Sequence, residues 1–508
     1  MAKICVPVCV RRLDELCDAI ECAAVAGDIV EIRADCLEVA DPNFAQLQSQ
    51  LPAVERPLIL TLRSPGQGGQ SEHDYETRRR FWSSLRDLPA NYFVDLELDL
   101  VEDFASGKFA GQLPVEWRQV ICSHHDFSGV PDNLEQIFER MFVTPAAIIK
   151  IAVQPADAVD CLPVFELLDR ARQRGREMIA IAMAAAGLTT RVLGPSRGSF
   201  LTYGASGAGK ETASGQVPAT ELRELYRIDR VDRETQIFGI VGQPVSHSLS
   251  PQMHNAAFAA AGLNAVYIPF EAGDVLQFIR RMAHPNTREI DWRLKGLSVT
   301  APHKSVVMQC LDWIDPAARE IGAVNTIVQK DGELHGFNLD AAGFLAPLHE
   351  ALGVMSHARC VVIGAGGAAR ACVWALRNQG AQVTIFARDP GQGELLAKEF
   401  AVNYERFSHH SFSGFDLVVN TTPLGTRGEL ENETVATAEQ LRGVRTAYDL
   451  VYNPLETRFI REARSAGCQV LGGIEMLLAQ GVEQFKLWTS SEPDREVMRA
   501  SALDKLNG

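Results

Sequence analysis

The sequence predicts an α/β protein: an N-terminal (β/α)8 (TIM) barrel, followed by a two-lobed unit whose second lobe opens on a nucleotide-binding turn. Three observations predict it. Eight short apolar runs alternate with amphipathic stretches over residues 1–226. A charged segment, RIDRVDRETQ (227–236), then breaks the pattern and reads as a linker. Beyond it, RCVVIGAGGAARACVWAL has the order strand, glycine-rich turn and helix.

In chain order the eight runs are KICVPVCV, DIVEIRAD, PLILTLRS, YFVDLEL, QVICSHHD, AIIKIAV, MIAIAM and SFLTYG. In a barrel the C-terminal ends of such strands share one mouth, and Glu31, Arg33, Arg63, His125, Lys150 and Met183 are placed there. QIFGIVGQPVSHSLS starts a new α/β lobe over 236–345. The glycine-rich turn opens a Rossmann-type lobe over 346–470. The tail, 471–508, contains GGIEMLLAQGVEQFKLW, a helical pattern expected to pack back on the lobe 236–345.

The 508 residues are 46% hydrophobic and 22% charged, the composition of an ordinary soluble globular chain of several domains. A net charge of −15 without a basic block argues against nucleic acid as partner. No apolar run approaches the ~20 residues of a membrane span. The start, MAKICVPVCVRR, reads as a first strand rather than a signal peptide. The 11 cysteines are scattered and odd in number, with no CxxC; this indicates a reducing, cytoplasmic setting rather than a disulfide framework. His and Cys spacing suggests no metal. Small molecules are the expected partners, and the chain is expected to be a monomer or homodimer.

The first candidate site centres on Lys150 and His125. A lysine within a strand of Ile and Ala is desolvated, which favours the neutral, nucleophilic amine. A histidine nearby can move a proton next to an iminium, and Arg33, Arg63 and Arg191 can hold a carboxylate. Against this stands the bland reading, a snorkelling lysine and a satisfied core histidine. EIRAD, TLRS, SHHDF, KIAVQP and MAAAGLTTR resemble the type I 3-dehydroquinate dehydratases over about residues 3–222. The resemblance implies a Schiff base at Lys150 and proton transfer by His125. It implies substrate contacts from Glu31, Arg33, Arg63, Arg191, Thr212 and Gln216, with Met183 packed beside the imine. Three positions depart from the family pattern. Gln67 stands where a glutamate is expected near the histidine, Ala184 where glycine is, and Ser214 where proline is common. GASGAGKE (204–211) imitates a phosphate loop, but Glu211 replaces its hydroxyl residue, and a mobile lid carrying Thr212 and Gln216 is the better reading.

In the second half, SHSLSP, TAPHK, AVNT and GFNLD supply a possible acid/base pair, Lys304 and Asp340, and small hydroxyls at Ser248 and Ser250. The bland alternative is a surface lysine at a helix start and an N-capping aspartate. With NTTPLG, DLVYNP and GGIEMLLAQG, these motifs resemble shikimate dehydrogenase over about residues 236–500. The resemblance implies catalysis by Lys304 and Asp340, and substrate contacts from Ser248, Ser250, Thr300, Asn325, Tyr452 and Gln480. It puts Gly364, Ala365, Gly366, Gly367, Ala368, Arg388, Asn420, Thr421, Thr422, Leu424 and Gly473 on the cofactor side. Arg388 favours NADP; Asp389 beside it leaves NAD open. Leu339 and Thr426 depart from the usual Thr and Met. The order of the halves resembles the bifunctional plant arrangement, dehydration followed by reduction of the product. Two alternatives stay open, a second half acting on quinate and a catalytically weak quinate/shikimate sensor.

Overall fold

The computed structural model describes residues 2–507 apart from 40, 41, 43, 49–50, 52–54, 108–112, 354 and 408–410. The first eight runs form β1 (Ile4–Val8), β2 (Ile29–Arg33), β3 (Leu58–Thr61), β4 (Phe93–Glu97), β5 (Val120–Asp126), β6 (Ile148–Val153), β7 (Glu177–Ala182) and β8 (Thr202–Tyr203). They make one parallel sheet of order β7-β6-β5-β4-β3-β2-β1-β8. A parallel bridge between Met178 and Ser199 brings its ends together into a nearly closed barrel. These strands are buried on both faces: one is covered by helices, and the other combines an interior apolar layer that includes Cys5, Ile29, Ile59, Ile121 and Ile148 with buried polar residues such as Glu31, Asp95 and Lys150. The eighth run divides its pairing between two neighbours. Phe200 N–H bonds the Met178 carbonyl at 2.7 Å, whereas Thr202 N–H bonds Lys3 at 2.9 Å, so only two residues remain regular strand.

Three expectations are corrected. Lys150 and Glu31 do not lie at strand ends: each is the third residue of its strand, and their long side chains reach the mouth from within the barrel. Segment 227–236 is a set of pinned turns rather than a free linker, with Ile228 and Thr235 buried and Thr235 Oγ1 donating to Asn264 Oδ1 at 2.7 Å. Cys9 and Cys36 form a disulfide across a Cα separation of 5.3 Å. They are 27 residues apart in sequence, but the C-terminal ends of neighbouring strands β1 and β2 bring them together.

The second half contains two further sheets. The first is built from β9 (Gln236–Gly242), β10 (Ala265–Glu271), β11 (Arg293–Val299), β12 (Trp313–Ile314), β13 (Thr326–Lys330) and β14 (Glu333–Phe337), in the order β10-β9-β11-β13-β14-β12. Strands β13 and β14 form an antiparallel hairpin closed by Asp331-Gly332, both at positive φ as such a two-residue turn requires. The second comprises β15 (Arg359–Ile363), β16 (Gln382–Ala387), β17 (Asn403–Arg406), β18 (Leu417–Asn420), β19 (Thr446–Asp449) and β20 (Gln469–Leu471). Its order, β17-β16-β15-β18-β19-β20, is that of a doubly wound fold whose direction reverses beside β15, where nucleotides bind. The tail helix Gly473–Thr489 lies against the first of these two sheets: Trp488 Nε1 donates to the Ile327 carbonyl at 3.0 Å, and Gln484 Nε2 to Thr326 Oγ1 at 2.9 Å.

By its contacts the chain divides into two compact units. The first is Met1–Gln236 with Asn264–Asp274 and Glu289–Arg293; the second is Ile237–Leu263, Val275–Arg288 and Leu294–Gly508. Among the described residues no helix is long and apolar enough to cross a membrane.

Candidate active sites

The barrel encloses a cavity of about 300 Å³. Glu31, Arg33, Arg63, His125, Lys150, Met183, Arg191, Thr212 and Gln216 all line it, together with Gln67 and Tyr203. Lys150 is buried, but its surroundings are not apolar as AIIKIAV suggests. Its Nζ donates to Asp95 Oδ2 at 2.9 Å and Tyr203 Oη at 2.7 Å, and approaches Glu31 Oε1 at 3.4 Å. The isoleucines beside it in sequence line other parts of the core. Sequence reasoning missed Asp95 and Tyr203. Asp95 also accepts from Arg63 Nη2 at 3.0 Å. Burial by itself would raise its pKa, but Arg63 and Lys150 outweigh that and hold it far below the usual carboxylate range.

The three arginines differ in their commitments. Arg63 is tied to Asp95 and to Ser123 Oγ at 2.6 Å. Arg33 binds Asp35 through two nitrogens, at 2.9 and 2.7 Å, and the Gly68 carbonyl at 3.2 Å. Arg191 is 1% exposed, makes no ion pair among the described residues, and donates only to the Tyr203 carbonyl at 3.4 Å. Burial pushes its pKa down to about 10. A buried guanidinium lacking a counter-charge is a seat for an anion.

Burial, and then the positive charges of Arg63 and Lys150, hold the His125 imidazole well below its usual pKa, so it is neutral at pH 7. Its Nδ1 is buried without a hydrogen-bond partner among the described residues. Gln67 does reach this histidine, but through the main chain: His125 N–H donates to Gln67 Oε1 at 2.8 Å. Thr212 N–H donates to Gln216 Oε1 at 3.0 Å, which ties these two cavity-lining residues to each other. In the phosphate-loop look-alike, Glu211 accepts from Gly209 N–H at 3.0 Å, occupying a donor that a phosphate would need.

The second unit holds a cavity of about 370 Å³ lined by Ser248, Ser250, Thr300, Lys304, Asn325, Asp340, Tyr452 and Gln480. Lys304 Nζ contacts Asp340 Oδ2 directly, and Asn325 Nδ2 donates to Asp340 Oδ1 at 2.8 Å. Asp340 opens the helix Asp340–Leu352, but the side chain that accepts from its first amides is Asn338, which leaves the aspartate carboxylate for Lys304. Leu339 does not line the cavity; its N–H donates to Asn325 Oδ1 at 2.8 Å. Thr426 does line it, as do His247 and Gln484, which sequence reasoning passed over. Gly473 and Ala368 border this same cavity.

The nucleotide turn lies close by. Gly364 has φ 125°, and a Cβ there would stand 2.3 Å from Thr421 Oγ1, so only glycine fits. A Cβ on Gly366 would meet nothing within 4 Å, which leaves the backbone open to a ligand at the start of helix Gly367–Asn378. A Cβ on Gly367 would stand 3.2 Å from Lys304 Cδ, placing the turn against the stem of that lysine. Thr421 Oγ1 donates to the Ile363 carbonyl at 2.7 Å. Asn420 is fully buried and organises its own loop: it accepts from Thr422 N–H at 2.9 Å and donates to the Leu424 carbonyl at 3.1 Å. Asp389 accepts from Gly391 N–H at 2.9 Å and caps the helix Pro390–Phe400, so its charge is engaged there, while Arg388 is exposed. The glycine cradle and Arg388 fit a dinucleotide carrying a 2′-phosphate.

A barrel with a buried lysine, joined to a doubly wound unit with a nucleotide turn beside a Lys–Asp pair, defines a two-site enzyme, a lyase with an oxidoreductase. The comparisons agree with it. Family models match as type I 3-dehydroquinase over residues 4–233, shikimate dehydrogenase substrate binding domain over 240–327, NAD(P)-binding over 354–449 and shikimate 5'-dehydrogenase C-terminal domain over 473–503. The chloroplastic bifunctional 3-dehydroquinate dehydratase/shikimate dehydrogenase of Arabidopsis thaliana is 31% identical, over 97% of this chain and 83% of its own. Shikimate dehydrogenase (NADP(+)) of Methanocaldococcus jannaschii is 39% identical over 54% of this chain and 99% of its own. A crystal structure of shikimate dehydrogenase in complex with NADP+ superposes with TM-score 0.51 at 37% identity, covering 54% of this chain and 97% of its own. The chain belongs to the bifunctional 3-dehydroquinate dehydratase/shikimate dehydrogenase family.

Proposed function

We propose that the chain catalyses two consecutive steps: dehydration of 3-dehydroquinate to 3-dehydroshikimate, then NADPH-dependent reduction to shikimate. The observation that supports this most is the buried Lys150 sharing one cavity with a neutral imidazole and an unpaired guanidinium, Arg191. In this reading Arg191 takes the substrate carboxylate. Lys150 attacks the ketone carbon, the ketone oxygen leaves as water, and the cationic imine stands beside Asp95 and Glu31, whose negative charge favours it. His125, neutral in the resting site, takes the proton from the carbon next to the imine; the electron pair expels the β-hydroxyl, to which the imidazolium returns a proton. Water then releases the product and regenerates the lysine. Glu31, Arg33, Arg63, Thr212 and Gln216 hold the ring hydroxyls and the carboxylate, with Met183 packed at the imine.

In the second unit, Ser248 and Ser250 receive the carboxylate, and Thr300, Asn325, Tyr452 and Gln480 the ring. Gly364 to Ala368, Thr421, Thr422, Leu424 and Gly473 frame the dinucleotide, and Arg388 takes its 2′-phosphate. The bound cofactor supplies a hydride to the ketone carbon. Lys304 delivers a proton to the oxygen as its negative charge develops, and Asp340 orients Lys304. We place the dehydratase at 1–226, the substrate lobe at 236–345, the cofactor lobe at 346–470 and the returning helices at 471–508.

The test is NADPH absorbance at 340 nm with 3-dehydroquinate as the only substrate. Oxidation requires both sites in sequence. Oxidation with 3-dehydroshikimate but not with 3-dehydroquinate would refute the dehydratase half; silence with both would refute the pair.

A further inference from the structure

The mechanism above leaves unused a polar group in contact with Lys150 in the barrel cavity, the Tyr203 hydroxyl. It lies 2.7 Å from Lys150 Nζ, and the ring centroid stands 4.5 Å from the same nitrogen. Tyr203 is 6% exposed and lines the cavity. The ammonium of Lys150 has three N–H bonds to direct. Two are held at ordinary hydrogen-bond length, by Asp95 at 2.9 Å and by Tyr203. The third faces Glu31 at 3.4 Å, longer than the usual range. Two firm partners fix a tetrahedral nitrogen in space, so the lone pair left when Glu31 takes the third proton emerges in one set direction; Glu31 passes that proton to the departing ketone oxygen and is a carboxylate again beside the imine.

A phenol can accept from an N–H and can also donate to a lone pair, so its contact survives the change from ammonium to amine. Burial, and then the charges of Glu31 and Asp95 and the Cys5 thiol, hold this phenol well above its usual pKa, so it acts as a neutral hydrogen-bonding group. The same residue has a second contact: its main-chain carbonyl accepts from Arg191 Nη1 at 3.4 Å. One residue of β8 therefore touches both the amine and the guanidinium assigned to the carboxylate.

We propose that Tyr203 is a positioning residue for the dehydration, its hydroxyl fixing the direction in which the Lys150 amine meets the ketone while its carbonyl supports Arg191. The proposal rests on the imine reading of Lys150. It separates two properties, because Tyr203→Phe removes the hydroxyl and leaves the carbonyl. In the full chain, Y203F lowers kcat for dehydration about 10- to 100-fold, the scale of a misplaced nucleophile. KM for 3-dehydroquinate stays within about threefold, since Arg191 keeps its support. The rate at which borohydride traps a substrate adduct on Lys150, followed by mass spectrometry, falls in parallel with kcat. Reduction of 3-dehydroshikimate in the second unit is unchanged. The proposal is overturned if kcat and the trapping rate stay within twofold of wild type. It is also overturned if KM rises by the factor that kcat/KM loses, which would mean a damaged pocket rather than a misaimed amine. Wild-type protein that gives no borohydride adduct overturns the imine itself, and the proposal with it.

Discussion

Ala184 sits at φ 55°, ψ −177°, a region of backbone space that is almost exclusively glycine's. It is held there from both sides. Its N–H donates to the Ser214 carbonyl at 2.9 Å, and its carbonyl accepts from Gly187 N–H at 3.2 Å. A side chain in this region costs of order 1–3 kcal/mol. Ala184→Gly removes that strain but widens the unfolded ensemble, which offsets about 0.4–1 kcal/mol. The net gain is about 1 kcal/mol. For a unit the size of the barrel, about 1 kcal/mol moves the melting midpoint by roughly 2–4 °C. Scanning calorimetry of the full chain measures the shift, and dehydratase activity remaining after stepped heating identifies which transition belongs to the barrel. The hydrogen bonds to Ser214 and Gly187 belong to the main chain and survive the substitution, so KM for 3-dehydroquinate stays within about twofold. A barrel midpoint that is unchanged or lower in A184G refutes the strain argument.

Asp95→Asn leaves Arg63 and Lys150 buried without their shared counter-charge; it costs the barrel about 3–5 kcal/mol and abolishes measurable dehydration, while dehydrogenase turnover assayed with 3-dehydroshikimate persists. Arg388→Ala raises KM for NADPH at least about tenfold and barely changes that for NADH, because the lost contact is to the 2′-phosphate alone; parallel titrations of the two cofactors check it. Asp449 is buried and its pKa is pushed up to about 6. A raised carboxyl pKa stabilises the folded state fully below the unfolded value and loses that contribution as pH rises through about 6. Denaturant unfolding of the second unit therefore shows stability falling by up to about 3 kcal/mol between pH 4 and 7, and Asp449→Asn flattens that slope.

How much of this was legible in the sequence depends on whether a feature is a property of a residue or of a pair. The eight barrel strands could be read because parallel strands covered on both faces are continuously apolar, and an ionisable residue inside one stands out: Lys150 in AIIKIAV is such a case. Asp95 was hidden by the same logic. In YFVDLEL the acids alternate with Val and Leu, the pattern of a strand with one wet face, yet the acidic face of β4 points into the barrel and meets Arg63 and Lys150. Tyr203 was hidden as one more aromatic in a strand. The disulfide needed the knowledge that β1 and β2 are neighbours, which no cysteine spacing carries.

The substitutions flagged in the sequence divide along the same line. Gln67 was singled out for a missing charge, but its actual contact is with the His125 main chain, which either an amide or a carboxylate oxygen can accept from. The change therefore removes charge from beside the imidazole without removing the bond that fixes its strand end. Leu339, which departs from the family's usual Thr, does not line the pocket. Ala184, by contrast, was flagged only as not being glycine, and that bare fact carries its whole structural consequence, because the demand at that position falls on the backbone and not on a partner. Backbone demands are local and survive translation from sequence to structure. Electrostatic ones do not: the carboxylates that Lys150 meets are Asp95, 55 residues away in the chain, and Glu31, 119 residues away.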